Sequence, residues 1–437
     1  MINFSKDKKV YLYRLSSFSL LLLAWSLPTS LFGMQLGMGL LALVIIVKMS
    51  LKDFSSLSAS VLDKPIMFWL ATVALSLLLA PNPPTSFVTS TSFWVVVAYF
   101  GVFLLMPNPS ILRRAVLGII FLASAVALLG IFESATGKFP LVQFIHSSTP
   151  DVLRPAPGIR GWFGAVGLFQ SRLTFAHVLL FPFCWSVALM MEKLTLKWRM
   201  IFGLAVVILS LGMVFSWTRA APVVAVVVCM SLAVGGLRKG YLRRVVVVSL
   251  VGLVALAVLL SPDVEKRLKN SFSGKKDWAR LAIWHSALDL GAQNPMAGIG
   301  YGNFQRDVVP FISQRTKQVR AKKFKGTIAW AHNNILTFFA EAGALGVVAF
   351  CWIFFAYFMK TVRLLNMAKN HVWIRGFLRG AMASVAAFLL VGLFHDTFFD
   401  GEVIITLWFT MGASLATERF LPRNSSENAI LSKESIP

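Results

Sequence analysis

With 437 residues, 57% of them hydrophobic and only 14% charged, and a mean hydropathy of +0.73, the chain is too apolar for a soluble globular protein. Its formal net charge of +24 does not call for nucleic acid, because Lys and Arg gather on the cytoplasmic loops of membrane proteins and fix their orientation. The cysteines, Cys184, Cys229 and Cys351, lie inside apolar stretches and make an odd count, which leaves neither a disulfide framework nor a ligand-spaced metal site to read.

Apolar stretches of about 17 to 25 residues, each able to cross about 30 Å of hydrocarbon as a helix, recur about twelve times. In chain order the predicted spans are 15–32, 34–50, 65–81, 87–106, 115–134, 174–191, 200–217, 220–236, 245–261, 334–358, 376–395 and 401–417. Lys6, Lys8, Lys9 and Arg14 precede the first span as in a signal peptide, but no small-residue cleavage site follows, so it is read as a retained helix. Only Pro28 and Gly33 divide the first two spans. The expected fold is an all-α polytopic membrane protein. Nine spans occupy residues 1–261 with an outer loop at 135–173, a long loop covers 262–333, three spans fill 334–417, and 418–437 form a polar, disordered tail.

The short connections alternate in charge. Lys48, Lys52 and Lys64, then Arg113 and Arg114, then Lys193, Lys197 and Arg199, then Arg238, Lys239, Arg243 and Arg244, then Lys360, Arg363, Lys369, Arg375 and Arg379 mark every second loop. The intervening turns are nearly free of positive charge, which places both termini in the cytoplasm. The two long outer loops escape this rule, since long loops cross regardless of charge.

The loop 262–333 holds Lys266, Arg267, Lys269, Lys275, Lys276, Arg280, Arg306 and the run from Arg315 to Lys325. Such a surface attracts anions, and both lipid headgroups and a phosphorylated substrate fit it. Arg280 opens Arg-Leu-Ala-Ile-Trp-His-Ser-Ala-Leu, whose helical spacing predicts a short amphipathic helix along the membrane face. Arg219 sits at the outer mouth of two spans, either as a snorkelling anchor or as a site residue. Gly298, Gly300 and Gly302, around Tyr301, permit sharp bends that form a plain turn or bring backbone N–H groups to a ligand. His332 stands before the tenth span with Asn333 and Asn334, so a titratable group and capping side chains meet at the outer interface. Glu341 follows about two turns into the membrane, where an unpaired acid is costly. Asp396 and Asp400 flank the start of the last span beside His395, either as caps or as partners of a base or sugar.

His332-Asn333, nine residues, Gly343, two residues and Gly346 resemble the signature of bacterial O-antigen ligases, within the larger family that includes O-antigen polymerases and protein O-oligosaccharyltransferases. Arg280, the segment from Gly298 to Phe304 and Arg219 resemble that family's large periplasmic loop and its arginine at the mouth of an earlier helix pair. One departure is Trp284, which stands where the ligases often show Leu.

The resemblance implies transfer of a glycan from an undecaprenyl-pyrophosphate carrier to an acceptor hydroxyl at the periplasmic face of the inner membrane. His332 would be the general base, and Arg280 and Arg219 would bind the donor pyrophosphate. Arg160, Arg172, Asn333, Gly300 and Tyr301 are candidates for substrate contact, and Gly343 and Gly346 for close helix packing. With arginines in that role and no clustered carboxylates in the outer loops, no metal and no other cofactor is expected. Direct displacement inverts the anomeric centre. The basic run favours lipid A core as acceptor, which makes the chain a ligase; a second lipid-linked repeat as acceptor makes it a polymerase. A secondary transporter or lipid flippase is the alternative from another class, and would place ionisable residues at the bilayer midplane of broken helices.

Overall fold

The computed structural model describes residues 4–51, 58–80, 91–139, 161–236, 277–315 and 330–422. Among these residues the chain is all-helical: α1 (Phe4–Ser26), α2 (Leu31–Ser50), α3 (Asp63–Leu79), α4 (Val96–Leu105), α5 (Pro109–Thr136), α6 (Arg172–Met190), α7 (Leu196–Phe215), α8 (Ala220–Gly236), α9 (Asp277–Gln293), α10 (Phe304–Arg315), α11 (Asn334–Met367), α12 (Val372–Val391) and α13 (Gly401–Ala416). Six stretches, Leu31–Ser50, Pro109–Thr136, Arg172–Met190, Leu196–Phe215, Asn334–Asn370 and Val372–Val391, are long and apolar enough to cross a membrane. The predicted spans inside the described residues overlap helices, except that 15–32 runs across the break between α1 and α2 and 376–395 extends past the end of α12. The span 245–261, the run from Lys266 to Lys276, the stretch 316–329 that carries most of the basic cluster, and Arg154 and Arg160 lie outside the described residues.

Helix boundaries follow local chemistry. The chain breaks at Leu27–Ser30, where Ser30 caps α2 by accepting the Gly33 N–H at 3.1 Å, so Pro28 marks the division and Gly33 falls inside the helix. α5 starts six residues before the predicted span, with Asn108 as cap, Pro109 in its first turn and Gly137 at φ 67 closing its end. α12 ends at Val391 and leaves His395 outside the helix.

Gly380 and Gly412 let helices meet closely: a Cβ on Gly380 would fall 2.6 Å from the Trp185 backbone, and one on Gly412 2.7 Å from the Tyr99 carbonyl. At one end of the bundle the buried Glu192, just past α6, receives Arg375 Nη2 at 2.5 Å and Arg379 Nη1 at 2.6 Å from α12. The opposite end carries the start of α6, the start of α11 and the turn from α12 to α13.

α9 and α10 realise the short helices expected in the long loop. Ile283, Ala287 and Leu290 of α9 pack with Phe304, Val308 and Ile312 of α10 and with Ala331 and Ala340 of the α11 region. Leu281 and Leu288 are exposed on α9, so apolar residues lie on both of its sides and the helix is less amphipathic than its sequence suggests.

Candidate active site

The start of α11 is stapled to the turn between α12 and α13. Asn333 is the cap: its Oδ1 accepts the Leu336 N–H at 3.1 Å and its Nδ2 donates to the Leu393 carbonyl at 3.1 Å. Asn334 is buried, donating its N–H to the Gly392 carbonyl at 2.8 Å and its Nδ2 to Thr397 at 3.0 Å. Both asparagines are thus committed to structure.

His332 sits just before this cap at φ 54, a left-handed conformation that costs a non-glycine residue about 1 to 2 kcal/mol. Asp396 holds it there. Its Oδ2 accepts the His332 N–H at 2.6 Å, and its Oδ1 accepts the Asn333 N–H at 3.2 Å and the Thr337 hydroxyl at 2.8 Å. Thr337 in turn accepts the Ala331 N–H at 3.1 Å. The imidazole Nδ1 lies 3.4 Å from Asp396 Oδ2, with the His332 side chain 42% exposed and that of Asp396 only 5%. A buried carboxylate therefore faces one ring nitrogen and leaves Nε2 free of it, the arrangement that orients a histidine base. Asp396 is no cap of α13; that role belongs to Asp400, whose Oδ1 accepts the Val403 N–H at 3.3 Å while Oδ2 accepts the Thr174 hydroxyl at 2.6 Å.

Asp396→Asn puts an NH2 group where two donors already point. Expression should persist, because Asn still accepts on one side, while activity falls about ten- to a hundred-fold, in line with about 1 to 3 kcal/mol for an unmatched buried polar group. Rates of the purified variant check this.

His395 adjoins the pair. Its ring centroid is 5.3 Å from that of the buried His177 on α6. Burial, then the nearby charges of Arg280 and His332, push its pKa down to about 4 against the opposing pull of Asp396, so it is a neutral imidazole near pH 7. His332 and Asp396 are thereby grouped with His395 and His177, and the charge of Arg280 reaches His395.

The glycine-rich segment meets α11, where the helix is broken. Gly343 has φ 64 and ψ −164 inside α11, and the groups released by this break pair with the loop. Ala344 N–H donates to Pro295 at 2.8 Å, Leu345 N–H to Met296 at 3.4 Å, Ile299 N–H to Ala340 at 2.9 Å and Gly300 N–H to Glu341 at 3.1 Å. Gly298, at φ 70, and Gly343 stand back to back: a Cβ on the first would fall 2.3 Å from the Glu341 backbone, and one on the second 2.4 Å from the Met296 backbone. The Gly343 neighbour is therefore a loop backbone rather than a second helix, while Gly346 faces Ala342 and Phe338 of its own helix. The fully buried Glu341 carboxyl accepts the Phe304 N–H at 3.2 Å. Gly300 spends its N–H on α11, and Tyr301 packs its ring on Phe93, Phe338 and Phe399 at centroid distances of 4.8, 6.3 and 5.6 Å. The loop thus shapes the site from behind.

Arg219 is exposed in the turn between α7 and α8. Next to it, Trp217 adopts φ 55 and donates its Nε1 to the Phe163 carbonyl at 3.0 Å. Ala165 N–H donates to Phe215 at 2.9 Å, so the 161–170 segment joins this turn to the end of α5 and the start of α6. Arg172 begins α6 behind the cap Ser171, and its side chain runs past Gly164. Arg219 and Arg172 therefore share the His332 end of the bundle. The sequence alone did not single out Thr337, whose only signal is a hydroxyl in the first turn after His332, nor the orienting contacts of Asp396, which join residues 64 apart.

The fold is that of an integral membrane protein with His177, His332, His395 and Asp396 gathered at one end of its helices. The sequence model of the O-antigen ligase family matches residues 204–351, and the chain carries that family's domain, from α7 into α11. The matched stretch contains Arg219, Arg280, His332, Gly343 and Gly346. Together with six helices long and apolar enough to cross a membrane, the match marks the chain as an integral membrane protein of the O-antigen ligase type. No curated protein matches the chain.

Proposed function

We propose that the protein moves a glycan from undecaprenyl pyrophosphate to a hydroxyl of lipid A core at the periplasmic face of the inner membrane. The observation that carries this reading is the pairing of His332 with the buried Asp396, within a chain carrying the O-antigen ligase domain. The topology behind it has about twelve spans, both termini cytoplasmic, and a periplasmic loop at 262–333 between the ninth and tenth spans.

With Nδ1–H turned to Asp396, Nε2 of His332 presents a lone pair to the acceptor hydroxyl. As the hydroxyl oxygen bonds to the anomeric carbon, its proton passes to Nε2. The bond from that carbon to the pyrophosphate oxygen breaks, and the lipid pyrophosphate leaves with the electron pair. Arg280 and Arg219 bind its oxygens. Arg160 and Arg172 are the further candidates for contact with the substrates, Asn333 serving as the cap of α11, and the reaction is expected to need no metal. Asp396 keeps the imidazole in the productive tautomer and stabilises the imidazolium that forms.

Direct attack inverts the centre. NMR of the new linkage, compared with that of the carrier-linked glycan, should show opposite anomeric configurations; retention would overturn single displacement. Arg280→Lys keeps the charge but loses the planar fork that matches a pyrophosphate. Its kcat should drop about ten- to a thousand-fold, the range for losing one transition-state charge contact, which steady-state rates check.

Transport is disfavoured. The helix break at Gly343 is filled by the backbone of Pro295 to Gly300, and His177 and Glu341, two ionisable residues within spans, stand at the His332 end.

A further inference from the structure

Trp284 departs from the pattern of the ligases, and its position gives the departure a use. It lies on α9, one turn after Arg280, and its indole Nε1 donates to the Ala331 carbonyl at 3.0 Å. That carbonyl belongs to the same peptide unit as the His332 N–H, which Asp396 Oδ2 accepts at 2.6 Å. One planar, trans peptide is thus pinned at both ends, by an indole on one side and a carboxylate on the other. The pinned plane directly precedes the His332 Cα, whose left-handed φ of 54 is a conformation that relaxes unless the flanking peptide is held. Ala331 itself is fully buried against Ile283 and Ala287 of α9, so the indole N–H adds direction to an apolar contact.

We propose that Trp284 is a positioning residue for His332, holding the base in its left-handed backbone and tying it through α9 to Arg280. Leaving-group arginine and base then move as one body, and an arginine engaged by pyrophosphate keeps the base aligned. This inference rests on His332 being the base.

The test is Trp284→Phe, which keeps an aromatic ring and removes the N–H. Purified enzyme with lipid-linked glycan and lipid A core should show kcat reduced about ten-fold, both KM values within about two-fold of wild type, and a thermal midpoint lowered by no more than about 2–4 °C. Trp284→Phe combined with Asp396→Asn should cost less than the product of the single effects, because both act on one peptide. Wild-type kcat in Trp284→Phe, a loss confined to KM, or a variant that fails to fold would each overturn the inference, the last by making Trp284 a packing residue. His332→Ala is measured alongside: if it stays active, the base assignment fails; if it is inactive while Trp284→Phe matches wild type, only the positioning role fails.

Discussion

Replacing His332 with Ala is expected to lower the transfer rate by about 10²- to 10⁴-fold, the usual contribution of a positioned general base. In a strain whose surface polysaccharide depends on this protein, glycan joined to its acceptor should fall to trace levels, and full-length glycan at normal levels would sink the assignment. Loss of fold is separated from loss of chemistry by His332→Gly. Glycine adopts the left-handed backbone at little cost, so His332→Gly should retain the contacts of Asn333 and Thr337 with Asp396 and the folded yield of wild type, yet be as inactive as the Ala variant.

The second large effect is structural. Gly343→Ala should leave little folded protein, because φ 64 with ψ −164 is a combination essentially reserved for glycine. The new Cβ would also fall 2.4 Å from the carbonyl carbon and oxygen of Met296. Those atoms belong to a backbone that is itself paired with α11, so no flexible side chain can give way. A cost of about 3 kcal/mol or more follows from strain and overlap together. The monodisperse fraction of detergent-extracted protein measures it, with Gly39→Ala as the comparison. Gly39 has open space around its Cβ position, and there Ala should be neutral or slightly stabilising.

These two positions also show where sequence reasoning reaches and where it stops. Long apolar stretches are a local signal, and α5, α6, α7, α11, α12 and α13 lie where hydropathy predicts them, with ends shifted by local caps such as Asn108 and Ser171. The bends at Gly298, Gly300 and Gly302 are legible for the same reason, and all three have positive φ. What those bends approach is not legible, since the partner is the break in α11 more than 40 residues on. Gly343 and Gly346 suggest helix packing because their spacing suits it; only the pairing with Pro295 and Met296 shows that Gly343 interrupts the helix. His332 stands out by its motif, whereas its left-handed backbone depends on Asp396, Thr337 and Trp284 together. Trp284 reads as a departure until the structure supplies its carbonyl partner. Arg219 and Arg172 reach the same end of the bundle through the 161–170 segment, whose contacts again join residues far apart in sequence.

The proposed reaction at this site moves a carrier-linked glycan to lipid A core. It is tested most directly by reconstituting the purified protein with undecaprenyl-pyrophosphate-linked glycan and offering lipid A core or further carrier-linked glycan as separate acceptors, with and without EDTA. Glycan appearing on lipid A core at rates insensitive to EDTA and abolished by His332→Ala is the predicted result. Chains that lengthen only on the carrier would make the protein a polymerase, and no transfer to either acceptor would contradict the account.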